Sequence, residues 1–161
     1  MEPTICREKL GKLIAEETLA LRELSSLLES EHANLNANDV TALEASTRER
    51  QRCVARIIRT DDERRSLCRE LGHSDDLTGL EAVLRWCDPE GTLLAVWSQC
   101  AAAASDCRRR NDRNGALVTA RLQHVHARLE VLIESRRHRV TYGPRGAYAA
   151  AGAGRVLVTE A

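Results

Sequence analysis

The side chains of this chain that could do chemistry are its histidines and cysteines, a pair of asparagines and two clusters of arginine. His124 and His126 stand two residues apart. That spacing puts them on different sides of a helix, whereas zinc held from one helix needs histidines at i and i+4, or paired cysteines. Cys6, Cys53, Cys68, Cys87, Cys100 and Cys107 contain no C-x-x-C spacing. With no export signal in the first residues, they read as reduced and mostly buried small apolar side chains. No Gly-rich phosphate loop, G-x-S-x-G or H-E-x-x-H is present, and no acid–base or nucleophile constellation can be assembled. The expectation is a protein that binds rather than catalyses, with no metal and no cofactor.

The arginine clusters Arg108-Arg109-Arg110 and Arg136-Arg137-His138-Arg139 have the right type for phosphate contact. Asp106, Asp112, Glu130 and Glu134 balance the same stretch, so a solvated helix face is the reading preferred. Arg136 to Arg139 also suit a helix C-terminus, where cations meet the negative end of the dipole. Formal net charge is zero, with 24 basic and 24 acidic residues, so no global field favours nucleic acid or an anionic membrane. Aromatics are scarce: Trp86, Trp97, Tyr142, Tyr148 and no Phe. Enzyme pockets and base-stacking surfaces draw on such residues, and both lose support.

The asparagines Asn111 and Asn114, with Gly115 directly after them, need a helix to position them. Apolar or small residues recur every three or four positions at Leu93, Trp97, Cys100, Ala104 and Cys107, then at Val118, Leu122, Val125, Leu129 and Leu132. That spacing is a seam facing another helix, and both asparagines fall within it. They either line a polar site or fix register as buried amides, and the second reading is preferred. Gly115 within a helix costs about 1 kcal/mol relative to Ala, which a close helix crossing, a gentle bend or drift would explain.

Earlier in the chain, Leu10, Ile14, Glu17, Leu21, Leu24, Leu28, Glu31 and Leu35 step by four and three, which predicts a first helix over 4–32. Ala33 to Asn38 is then a polar turn, with Asn38 the N-cap of a second helix over 39–71 that Gly72 stops. Val40, Leu43, Val54, Ile57, Ile58, Cys68 and Leu71 would point inward, and Asp61-Asp62-Glu63-Arg64-Arg65 weakens the seam in between. Thr78-Gly79-Leu80-Glu81 has capping-box spacing and opens a short helix over 79–87. Asp88-Pro89-Glu90 reads as N-cap, N1 proline and favourable acid of a last helix over 89–138. A helix that long spans roughly 70 Å at 1.5 Å per residue. A compact globule of this size is only about 35–40 Å across. The expected fold is therefore all-α: an elongated antiparallel hairpin or three-helix coiled bundle as one domain over 1–140, with a flexible Gly- and Ala-rich tail over 141–161.

The last helix should overhang its shorter neighbours. Its stripe of Leu117, Val118, Leu122, Val125, Leu129, Leu132 and Ile133 then has few residues to cover it. Homodimerisation or packing of the tail would cover it, and so would an amphipathic helix from a partner. No stretch approaches the roughly 20 apolar residues of a membrane span, so a cytoplasmic chain is expected.

This layout resembles the flagellar type III export chaperones of the FlgN family. A leucine-rich first helix, an Arg-rich second one, a Trp-containing short segment, Asn111-x-x-Asn114-Gly115 and Tyr142-Gly143-x-x-Gly146 come in the family's order, across nearly the whole chain. The resemblance implies a cytoplasmic, non-enzymatic chaperone of the bacterial flagellum. Such proteins bind the C-terminal helical region of hook–filament junction (hook-associated) proteins, prevent premature assembly and deliver them to the export gate, with export ATPase components as further partners. It makes the stripe from Leu117 to Ile133 the client surface and Tyr142 the contact with the export gate, against the plainer reading of Tyr142 as a tail aromatic. The Ala- and Gly-rich extension from Ala147 to Gly154 departs from the family pattern. Two other readings stay open: a coiled-coil scaffold that self-associates through the same seam, and a nucleic-acid regulator using the arginines.

Overall fold

The computed structural model describes residues 1–137, the side chains of 135–137 excepted. Its elements are α1 (Pro3–Ala37), α2 (Val40–Glu70), α3 (Leu77–Cys87) and α4 (Thr92–Arg137), with no strand among the described residues. The all-α class is the one the apolar periodicity predicts. Contacts divide the chain into two compact units, 1–118 and 119–161. The expected tail from 141 onward, with Tyr142, lies outside the described residues.

The first unit is built on α1. Its buried row of Cys6, Leu10, Ile14, Leu21 and Leu28 meets Leu67 and Cys68 of α2, Leu80, Val83, Leu84 and Cys87 of α3, and Cys100 and Cys107 of α4. Each fully buried leucine here is worth about 1.5–3 kcal/mol over an exposed one. All six cysteines are buried free thiols. Burial pushes the Cys6 thiol up to about 12, with the neighbouring Cys87 adding to the rise.

The ends of the helices differ from the sequence reading in instructive ways. The polar segment Ala33–Asn38 is not a turn: α1 continues to Ala37, because Leu35 is buried and holds one more turn on the core. Asn38 ends it in the left-handed region at φ 62°. The N-cap of α2 is Asp39, not Asn38, its carboxylate accepting the Ala42 N–H at 3.0 Å. The expected stop at the other end is present. Gly72 sits at φ 78°, and the N–H groups of Gly72 and His73 return to the carbonyls of Arg69 and Cys68 at 2.9 and 3.0 Å.

Thr78 lies inside α3, and the cap is Asp76, which accepts the Gly79 N–H at 3.0 Å and the Ser74 hydroxyl at 2.6 Å. The Ser74 hydroxyl, then the backbone N–H groups, hold the Asp76 carboxyl below its usual range. Pro89 is not the first residue of α4. Asp88-Pro89-Glu90-Gly91 closes a turn, the Gly91 N–H reaching the Asp88 carbonyl at 2.9 Å, and the helix starts at Thr92. Asp88 still serves that start. It is buried and accepts the Leu93 N–H at 2.6 Å and the Thr92 hydroxyl at 3.0 Å, while Arg7 of α1 pairs with it at 3.2 Å.

On α2 the inward face is also different from the one expected. Val40, Val54 and Ile58 are exposed, and the buried positions are Cys53, Thr60, Arg64, Leu67 and Cys68. Thr60 buries its hydroxyl by donating it to the carbonyls of Arg56 and Ile57 at 3.1 and 2.9 Å.

Candidate binding face on α4

In the first unit, α4 meets α1 through a row spaced by seven residues, Cys100, Cys107 and Asn114, all of them buried. The Cys107 thiol donates to the Leu21 carbonyl at 3.1 Å. Asn114 is fully satisfied: its amide donates to the Leu28 carbonyl at 2.8 Å and to Glu31 at 3.1 Å, and its oxygen lies 3.1 Å from His32 Nδ1. The other Glu31 oxygen accepts from Arg50 of α2 at 2.8 Å, and Arg50 also donates to Asn111 at 2.7 Å. One polar knot thus joins α1, α2 and α4.

Asn114 is buried, as the sequence suggested for both amides. Asn111 is not: it is exposed, as is Ala104, so both leave the seam. A Cβ added at Gly115 would meet no atom within 4 Å, so a close helix crossing does not account for this glycine.

The arginines nearby are spent on neighbours. Arg109 and Arg110 bind Asp106, and Arg110 and Arg113 converge on Glu29 of α1. The Arg110 and Arg109 guanidiniums and the Ser25 hydroxyl hold the Asp106 carboxyl below its ordinary range.

The stripe proposed from sequence divides by exposure. Leu117 is half-buried and Val118 exposed at the end of the first unit. In the second unit, Leu122 is 56% exposed, Val125 51%, Leu129 49%, Leu132 60% and Ile133 53%. A helix buries such a row or offers it to something, because a contiguous apolar patch costs free energy in water. Among the described residues no group of His, Cys, Asp and Glu is placed to hold a metal ion. No described helix is long and apolar enough to cross a membrane.

Sequence reasoning missed one buried charged centre. Glu17 of α1 and Arg64 of α2 are each 8% exposed, and Arg64 lies 4.7 Å over the Trp97 ring of α4. Arg64 binds Asp61 in its own helix, but it stands 3.7 Å from Glu17. That is an ion pair too long for a hydrogen bond, so Glu17 Oε2 and Arg64 Nε are left without hydrogen-bond partners. Burial raises the Glu17 carboxyl above its ordinary range, with Arg64 pulling the other way. Glu17 at a seam position was visible in the sequence; nothing local marks Arg64 among its charged neighbours.

What these features define is a helical protein with a bonded core in one unit and a long apolar row exposed on its last helix. The family model described as FlgN protein matches residues 1–150, and the chain belongs to that family, the flagellar export chaperones. No curated protein and no solved structure matches the chain.

Proposed function

We propose that this chain is a cytoplasmic, non-enzymatic chaperone that binds the C-terminal amphipathic helices of hook–filament junction proteins. It keeps them from assembling before export and delivers them to the type III export gate. The observation that carries the reading is the exposed row Leu122, Val125, Leu129, Leu132 and Ile133 in a chain of this family. A junction protein's terminal helix is apolar along one face and has no assembly partner before export; laid on this row, it would be covered. Leu117 and Val118 belong to the same client surface. Tyr142 is the proposed contact with the gate, alongside export ATPase components.

Co-expression with the C-terminal segments of junction proteins, followed by pull-down and size-exclusion chromatography, tests this directly. A stable complex is expected, weakened at least tenfold by Val125→Asp or Leu129→Asp in variants that keep their helicity. No complex with any segment would move a self-associating coiled-coil scaffold ahead, with the row buried in a homodimer. The gate role fails separately if Tyr142→Ala binds the gate's cytosolic domain as well as the unaltered chain does.

A further inference from the structure

The Ala- and Gly-rich extension from Ala147 to Gly154 leads into an apolar run, Val156-Leu157-Val158, set between Arg155 and Glu160. These residues lie beyond the described ones, but the point from which they are tethered is fixed, because α4 is helical to Arg137. At 1.5 Å per residue, Ile133 lies about 6 Å and Leu122 roughly 22 Å back along the helix from that point. Between Arg137 and the apolar run come Gly143, Pro144, Gly146, Gly152 and Gly154. A Gly-rich stretch of that length spans roughly 20–25 Å on average, so the reach of the run matches the position of the exposed row. A linker that matches its span holds the tethered patch at millimolar effective concentration, enough to populate a contact too weak to form between separate molecules.

The chemistry of the two surfaces matches as well. Leu122, Val125 and Leu129 offer apolar side chains to water, and the run brings three branched apolar side chains of its own. Arg128 and Glu130 are both exposed, and neither is ion-paired among the described residues. Two residues apart, they stand about 200° apart around the helix, one toward each edge of the row. A segment crossing the row between them can bring Glu160 to Arg128 and Arg155 to Glu130.

We infer that residues 155–160 fold back on the exposed row of α4 and occupy it until a client helix displaces them, with residues 147–154 as the spacer that sets their reach. The inference rests on the client-helix reading above and adds a competitor carried by the chain itself. Short apolar contacts with other molecules are refused, because the segment already holds the row. A helix that covers the whole row displaces it.

Two proteins test this: a chain ending at Gly154, and the full chain carrying Leu157→Asp. Each is compared with the unaltered chain by anisotropy, using a fluorescent synthetic peptide of a junction protein's C-terminal helix, and by hydrogen exchange over 119–134. Circular dichroism checks that both keep their helicity. If the segment holds the row about four-fifths of the time, both should bind the peptide about fivefold tighter. Amides over 119–134 should also exchange faster in both, since that part of α4 has lost its cover. Peptide affinity that is unchanged or weaker in both overturns the competition, and the docking face stands as long as Leu129→Asp still weakens binding. If no form of the chain binds the peptide, the client reading fails; faster exchange in the two variants would then still support the fold-back contact, and equal exchange would end it. Exchange over 119–134 that slows as protein concentration rises would give the row to a second copy and overturn the inference.

Discussion

At the scale of single residues, the Glu17–Arg64 contact is where this chain spends stability. Burial raises the Glu17 carboxyl above its unfolded value of about 4.3. Between those two values the folded state binds more protons than the unfolded one, so stability falls as pH rises through that interval. Above it the full cost of a desolvated carboxylate remains. Glu17→Gln should therefore raise the urea midpoint at pH 7, and the two proteins should converge as pH drops toward 4. A less stable Gln variant at pH 7 would mean that the attraction to Arg64 outweighs desolvation. Two glycines give a second contrast. A Cβ at Gly79 would stand 1.8 Å from the Ser74 carbonyl oxygen, so Gly79→Ala must force the cap of α3 apart. Gly115→Ala meets nothing and gains helix propensity, up to about 1 kcal/mol. Thermal unfolding should place the two variants on opposite sides of the unaltered protein.

At the scale of elements, the legibility of the helices depended on what buried them. The α1 seam was readable because Leu10, Ile14, Leu21 and Leu28 are both apolar and inward. On α2 the same reading chose Val40, Val54 and Ile58, which are exposed, over Thr60 and Arg64, which are not. Thr60 is buried because it bonds its own helix, and Arg64 because Trp97 of another helix lies beneath it. Neither condition is written in local spacing. The caps failed for a related reason. Asp76 and Asp39 win their positions from Thr78 and Asn38 by the hydrogen bonds they accept, and several nearby residues had suitable side chains. On α4 the pattern placed Asn114 correctly and Asn111 wrongly, since both sit at seam spacing and only one is under α1. Asn114→Ala should cost about 2 kcal/mol by removing the amide's bonds to the Leu28 carbonyl, one Glu31 oxygen and His32 at a buried position. Asn111→Ala, at an exposed position, should stay within about 0.5 kcal/mol. Equal urea midpoints for the two variants would remove the knot as the lock between α1 and α4.

At the scale of the whole molecule, burial and apolar exposure fall in different parts of the chain. Every buried residue among those described lies between Cys6 and Asn114, and the exposed row of α4 follows. The row was legible as apolar spacing, but that spacing alone did not distinguish a covered seam from an open one; the exposure of its side chains in the structure does. A chain ending at Val118 would keep the α1–α4 seam through Cys107 and Asn114, and of the described side chains beyond it only Arg121 is half-buried, the others being exposed. It should unfold cooperatively, with Tm within about 4 °C of the full protein, a shift of the order that 1 kcal/mol produces. The same fragment should fail to bind a junction-protein segment, since Leu122, Val125, Leu129, Leu132 and Ile133 are gone. Differential scanning calorimetry and anisotropy read the two properties independently. A fragment that melts without a cooperative transition would show that residues beyond 118 stabilise the bundle. One that folds and still binds would move the client surface off α4's second half and onto the first unit.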